Sequence, residues 1–185
     1  MLWAFTVVQW NCMGRSVNVS PLGFHNLSRL DGADSVVIEY DKNKKDQAGE
    51  NTSPKNCYAN PYEPLHCMFL ALGCYLCIND EKYNRKSDLI FQKKGRDKSA
   101  GATYCKALKR MVISKDEYKE RVLATVRERH FHPHGTRKGS ATHVTTATMD
   151  PPPIPSVLLR GKWSMSKVLE LYYDTSDKSC EDNLG

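Results

Sequence analysis

The chain contains one strong β-strand pattern, and helical patterns occupy most of the remaining sequence. Residues 35–40 are rich in β-branched side chains and are followed by a polar tip at 41–46, an arrangement typical of a hairpin. A second short strand is predicted near residues 56–59. A chain with so little strand and so much helix is expected to fold as a mainly α-helical domain with one small antiparallel sheet, an α+β class.

Apolar residues at helical spacing predict helices on both sides of this hairpin. The first helix is predicted over residues 2–19 and carries Arg15. Residues 64–78 predict a mostly apolar, buried helix that opens with Pro64, since proline suits a first helical turn. A rigid turn is predicted from the prolines of 149–155. Further helices are predicted at 101–112, 114–129, 135–146, 156–160 and 165–173.

The length of 185 residues suits one domain, because hydrophobic cores rarely divide below roughly 250 residues. We expect the domain to span residues 1–173, followed by a short polar tail at 174–185. The chain opens in an apolar segment with no basic residues before it and no small-residue cleavage site after it, so we expect no secretory signal. No stretch approaches the ~18 consecutive apolar residues of a membrane span.

Positive charge is concentrated in the middle third of the chain. There are 27 Lys and Arg against 21 Asp and Glu, a net charge of +6. Residues 80–140 hold 17 basic and 8 acidic side chains, a balance of +9, whereas residues 1–79 balance at −1 and residues 141–185 at −2. This asymmetry is expected of a protein that binds nucleic acid or another polyanion, and a lysine-rich solvated surface would produce it equally well.

The cysteines predict a reducing, intracellular setting. There are 7, an odd number, and without a secretory signal a disulfide framework is not expected. Cys74 and Cys77 form a CxxC pair, with His66 and Cys67 upstream. Because the pair lies inside the predicted apolar helix, we interpret these residues as small buried thiols. A zinc site, which would need a second pair of ligands, is the alternative.

Basic and aromatic residues in a fixed order carry the chemical signal. His134 and Arg137 are three positions apart, so both lie on one face of a helical turn and can reach a single phosphate. Trp163 follows Arg137 by 26 residues (163 − 137 = 26), and Tyr172 follows by nine more (172 − 163 = 9). Arg15 lies 122 residues before Arg137, in the predicted helix that precedes the hairpin.

This order resembles the tyrosine recombinase (phage integrase) family, in which an arginine, a lysine on a β-hairpin, an HxxR motif, a His or Trp and a tyrosine follow one another. The resemblance covers nearly the whole chain, from the segment at 13–16 to Tyr172. The stretches at 134–142 and 160–163 are similar to integrase-like proteins of eukaryotic Crypton-type mobile elements. The expected fold is therefore that of a recombinase catalytic domain.

The resemblance implies DNA breaking and rejoining through a 3′-phosphotyrosine intermediate, with no cofactor and no metal. Tyr172 would be the nucleophile, and the neighbouring Tyr173 competes for that role. Lys42, at the hairpin tip, would protonate the leaving 5′-oxygen, with Lys44 and Lys45 as alternatives.

The other implied site residues bind the phosphate. Arg15 and Arg137 would hold its non-bridging oxygens, because a guanidinium fork matches a phosphate and keeps its charge. His134 and the indole N–H of Trp163 would add hydrogen bonds to the same centre. The implied partners are double-stranded DNA and, in a synaptic complex, other recombinase subunits, with no membrane, in the nucleus or otherwise inside the cell.

Two departures from the family leave other functions open. Full-length members carry an N-terminal DNA-clamping domain, and we expect it to be absent here, while little sequence follows Tyr172. A truncated mobile-element remnant that binds DNA without turnover is therefore an alternative, and so is a non-enzymatic basic module in which Cys and His residues hold zinc. His130, His132 and His134 would offer such ligands. A type IB topoisomerase would share the tyrosine chemistry.

Overall fold

The computed structural model describes residues 1–29, 35–41, 54–80, 89–91, 100–114, 116, 119–120, 133–146 and 150–163. The helices of these ranges are α1 (Leu2–Asn11), α2 (Ser16–Val19), α3 (Met68–Ile78), α4 (Ala100–Ile113), α5 (Pro133–Thr146) and α6 (Ile154–Gly161), with 3₁₀ turns at Phe24–Asn26 and Pro64–His66. The strands are β1 (Leu27–Arg29), β2 (Ser35–Ile38) and β3 (Lys55–Tyr58). The predicted α+β class, mainly helical with a small antiparallel sheet, is confirmed.

The three strands form one antiparallel sheet in the order β1-β2-β3. Ile38 of β2 lies opposite Leu27 of β1 on one side and Lys55 of β3 on the other. The strands predicted at 35–40 and near 56–59 are thus confirmed as β2 and β3. Strand β1 was not predicted, because its three residues contain a single apolar side chain and show no alternation.

Helix α1 lies at the centre of the molecule and packs against α3, α4 and α5. The ring of Phe5 is fully buried, and its centroid is 4.4 Å from that of Tyr104 and 5.0 Å from that of Phe91. Tyr75 of α3 extends this aromatic group, 5.4 Å from Phe91. Because α1 is covered on several sides, its apolar residues surround the helix instead of forming one stripe.

The single helix predicted over 2–19 is wrong, because the chain breaks between α1 and α2. Met13 has a φ of 47°, in the left-handed region. Its N–H donates to the Trp10 carbonyl at 3.1 Å, and the N–H of Gly14 donates to the Gln9 carbonyl at 2.9 Å. This pair of bonds is a Schellman turn, which closes a helix. Apolar residues continue across the break, so their spacing gave no sign of it.

Segment 64–78 also folds as two elements, where one helix was predicted. The chain is extended at Cys67, between the 3₁₀ turn and α3. The prediction that this segment is buried holds only for one face of α3, which contributes Met68 and Leu72 to the core. The opposite face is exposed, and with it Cys74 and Cys77, so the interpretation of these two as buried thiols is wrong.

The remaining helices agree with the prediction where the structure describes them. The predicted helices at 101–112 and 135–146 are α4 and α5. Helix α6 begins at Ile154, two residues before the predicted start, because Pro155 is compatible with the first turn. Most of the predicted helix at 114–129, and all of that at 165–173, lie outside the described residues. Within the described ranges, no helix combines the length and apolar character that crossing a bilayer requires.

Candidate functional site

The C-terminal end of α6 turns Trp163 back onto the helix. The N–H of Lys162 donates to the Leu159 carbonyl at 3.1 Å, and the N–H of Trp163 donates to the Leu158 carbonyl at 2.9 Å. Lys162 has a φ of 51°, so this end repeats the Schellman turn of α1. A Cβ on Gly161 would lie 2.8 Å from the indole, so only glycine leaves room for this return.

Arg137 of α5 meets Trp163 at this turn. Its guanidinium carbon lies 4.9 Å from the centroid of the Trp163 ring, and its Nη2 donates to the carbonyl of Gly161. Only 4% of Arg137 is exposed. A buried guanidinium over an indole contributes roughly 2 kcal/mol. Two of the six predicted site residues are thus in direct contact.

The break between α1 and α2 is anchored beside this pair. Met13 packs with Ala141 of α5 and Val157 of α6, and Trp163 packs against the same cluster. Arg15 follows two residues later, half-buried, with extended backbone immediately before α2. It therefore lies on a connection and not within a helix as predicted.

The structure places the other predicted residues as follows. His134 is exposed in the first turn of α5, one turn before Arg137. The described residues do not include the predicted general acid Lys42 or the predicted nucleophile Tyr172. The alternatives Lys44, Lys45 and Tyr173 also lie outside them.

Lys55 is a buried cation that the sequence analysis did not single out. It is the first residue of β3, is 4% exposed, and donates from Nζ to the Leu159 carbonyl at 3.2 Å. Its pKa is lowered to about 8, first by burial and then by the nearby charges of Lys162, Arg160 and Arg137. We call these four side chains the cationic cluster: Lys55, Arg137, Arg160 and Lys162. Four like charges this close favour an anion as ligand.

Arg160 fastens α6 to the rest of the site. Its Nε donates to the Asn11 carbonyl at 2.8 Å, and its Nη2 donates to the Asn56 carbonyl at 2.9 Å. The same Nη2 lies 3.3 Å from Sγ of Cys57. One side chain thus joins the end of α1, strand β3 and helix α6.

Cys57 belongs to a pair of buried thiols beneath Arg160. Its Sγ lies 3.8 Å from Sγ of Cys12, the residue that follows α1. The hydrogen bond from Cys12 and the charge of Arg160 lower the pKa of Cys57, against the effect of burial. The same hydrogen bond, together with burial, raises the pKa of Cys12. Tyr40 lies next to this pair, and burial raises the pKa of its hydroxyl.

A cavity of about 400 Å³ opens between α1, α5 and α6. Trp10, Met13, Val144 and Val157 give it a largely apolar wall, and Arg160 supplies a positive charge. The cavity therefore reaches the side chain that contacts Cys57.

Sequence reasoning missed Lys55 because the cationic cluster is assembled from distant segments. Lys55 belongs to residues 1–79, and Arg160 and Lys162 belong to residues 141–185, the two parts whose charges balance below zero. One available signal was the position of Lys55 in the strand, since alternation puts it on the same face as the buried Cys57.

Among the described residues, no group of three or more His, Cys, Asp or Glu side chains is arranged to hold a metal ion. No protein-family model and no curated protein matches the chain. Function is therefore inferred from the residues and their geometry.

Proposed function

We propose that the chain is a DNA strand transferase of the tyrosine recombinase type, which breaks and rejoins double-stranded DNA in integration or site-specific recombination. The observation that carries the proposal is the contact between Arg137 and Trp163, 26 residues apart in sequence, inside the cationic cluster. These are the residue types and the spacing that the sequence resemblance assigns to phosphate binding. The substrate implies action in the nucleus of a eukaryotic cell or otherwise inside the cell, with other recombinase subunits in the synaptic complex.

Phosphate binding follows from the charges of the site. A phosphodiester would exchange with the Gly161 carbonyl on Arg137 and would relieve the repulsion among the four cations. Preorganised donors around a phosphoryl group that gains charge contribute about 3–4 kcal/mol each, by analogy with oxyanion holes. Arg15, Arg137, His134 and Trp163 together would therefore lower the barrier substantially without a metal.

Tyr172 is the proposed nucleophile. Its phenolic oxygen attacks the phosphorus, the bond from phosphorus to the 5′-oxygen breaks, and a 3′-phosphotyrosine and a 5′-hydroxyl result. A phenol of pKa ~10 is a weak nucleophile at neutral pH, so the surrounding cations must supply most of its activation. The new phosphodiester retains the energy of the old one, so religation needs no ATP.

The leaving 5′-oxygen needs a proton, and two lysines are candidates. Lys42 is the proposal that follows from the sequence resemblance. Lys55 is a second candidate, because a pKa of about 8 lies nearer neutral pH and suits proton transfer. A substrate with sulfur in place of the 5′-oxygen separates the two candidates, because a thiolate leaves without a proton. Of the variants Lys42→Met and Lys55→Met, the one that has lost the general acid should recover cleavage with this substrate.

A nicked suicide DNA substrate tests the proposed reaction. The protein should become covalently attached to the 3′ end of the cleaved strand. Religation is prevented because the short fragment that carries the new 5′-hydroxyl dissociates. Tyr172→Phe should abolish the adduct, and Tyr173→Phe, the matched control, should retain it. An adduct that survives Tyr172→Phe would contradict the assignment of the nucleophile.

The burial of Arg137 favours a second candidate function. Arg137 is 4% exposed, and its guanidinium is engaged by the protein itself, through Gly161 and Trp163. A remnant of a recombinase that binds DNA but does not cleave it could keep Arg137 in this structural role. Tight, salt-sensitive DNA binding with no adduct from any substrate would support this function over strand transfer.

A further inference from the structure

Cys12 and Cys57 face each other across two elements that are far apart in sequence. Their sulfur atoms are 3.8 Å apart, and 45 residues separate them along the chain. Cys12 directly follows α1, and Cys57 lies within β3. A disulfide needs its sulfur atoms at ~2.05 Å, so a relative shift of less than ~2 Å would bond them.

Arg160 gives this pair a chemical asymmetry. Its Nη2 is 3.3 Å from Sγ of Cys57, and the thiolate is the reactive form of a cysteine. The guanidinium and the Cys12 hydrogen bond both act on Cys57, lowering its pKa, while the pKa of Cys12 is raised. Cys57 is therefore the attacking sulfur, and Cys12 is positioned to resolve the product.

The cavity between α1, α5 and α6 would bring a small oxidant to the residues that adjoin the thiol pair. Arg160 lines this cavity and also contacts Cys57, and Asn11, the neighbour of Cys12, lines it as well. The volume of about 400 Å³ admits hydrogen peroxide and small alkyl hydroperoxides. Both thiols are buried, so large reagents do not reach them directly from solvent.

We propose that Cys12 and Cys57 form a reversible oxidation site that takes a hydroperoxide and closes to a disulfide. The Cys57 thiolate attacks the distal oxygen of the peroxide, so the O–O bond breaks, water or an alcohol leaves, and a sulfenic acid forms. The Cys12 sulfur then attacks the Cys57 sulfur and displaces water. Two thiols are oxidised by two electrons and one peroxide is reduced, in line with the known oxidation steps of cysteine.

The site requires no DNA and does not depend on the proposed strand transfer. Its disulfide would join the end of α1 to β3 directly beside Arg160. Because it closes a loop of 45 residues, the oxidised chain should resist unfolding better than the reduced chain.

Mass spectrometry of the full chain tests the site. After hydrogen peroxide treatment of the wild type, non-reducing peptide mapping should join the Cys12 and Cys57 peptides with the loss of two hydrogens, about 2 Da, and dithiothreitol should reverse it. A second variant keeps these two cysteines and has serine in place of the other five. After peroxide treatment it should have no free thiols, and its unfolding midpoint should lie at higher urea than that of its reduced form.

Two substitutions test the role of Arg160. Arg160→Gln should slow formation of the disulfide by at least about tenfold, because the thiolate loses its cation. Arg29→Gln, at an exposed position of β1, is the matched control and should leave the rate unchanged. Peroxide treatment of the wild type that leaves Cys12 and Cys57 as free thiols, or converts Cys57 to a sulfinic acid without linkage, would overturn the proposal.

Discussion

Lys55 carries its ammonium group at a position where burial and neighbouring cations both oppose the charge. Burial is the larger cause of its lowered pKa, and Lys162 and Arg160 come next. The Leu159 carbonyl compensates only in part, through a bond of 3.2 Å. A charged group in such an unfavourable environment marks a candidate functional site, because an anionic ligand would offset the repulsion from the neighbouring cations.

The lowered pKa predicts how stability varies with pH. A lysine titrates near 10.5 in the unfolded chain and Lys55 near 8 in the folded one, so between these values the unfolded chain binds more protons. Below about pH 8 the full cost of the charge is present, and it disappears as pH rises toward 10.5. Relative to Lys55→Met, the wild type should therefore gain about 3 kcal/mol in unfolding free energy between pH 7 and 10.5.

Urea denaturation over this pH range measures the effect. Lys106→Met, at an exposed position of α4, is the matched control, and its difference from the wild type should stay constant. If the Lys55→Met difference is also constant with pH, the ammonium group of Lys55 does not experience the environment described here.

The sequence alone predicted part of the site at this scale. Arg137 and Trp163 followed from an ordered motif, and the structure brings them into contact. The pairing of Cys12 with Cys57 and the burial of Lys55 depend on how α1 and β3 approach each other. Residue types and spacing within one segment hold no information about that approach.

At the scale of the elements, the C-terminal ends of α1 and α6 are the parts that form the site. Met13 and Lys162 are the non-glycine residues with positive φ in the described ranges, and each closes a helix beside the Arg137–Trp163 pair. Such backbone costs of order 1–3 kcal/mol and is commonly found at functional sites. Helical periodicity predicted α4, α5 and the end of α6 well, but it did not predict the end of α1, because the chain remains apolar beyond it.

Two glycine substitutions test the helix end at α6. Gly161→Ala should destabilise the protein by about 2 kcal/mol, because the new methyl group would lie 2.8 Å from the Trp163 ring. Gly135→Ala, in α5, meets no atom within 4 Å and should stabilise by about 0.5 kcal/mol through helix propensity. Unfolding free energies of both variants check this, and equal effects would contradict the close packing of Trp163 on α6.

At the scale of the whole molecule, the fold brings together four cations that lie in distant parts of the sequence. The excess of +9 lies in residues 80–140, yet only Arg137 of the cationic cluster comes from that part. Block counts of charge therefore located only one member of the cationic cluster. Tertiary packing of β3 against the end of α6 supplies the rest, through Lys55 and Arg160.

The central claim is that the cationic cluster binds a DNA phosphate, and the salt dependence of DNA affinity tests it most directly. Affinity for a duplex of about 30 base pairs would be measured between about 50 and 200 mM KCl. The wild type should lose affinity steeply with salt, and Lys162→Gln should reduce the slope of log K against log salt by ~0.9, the value for one phosphate contact. Arg29→Gln should leave the slope unchanged. A flat wild-type dependence, or an unaltered slope in Lys162→Gln, would contradict the claim.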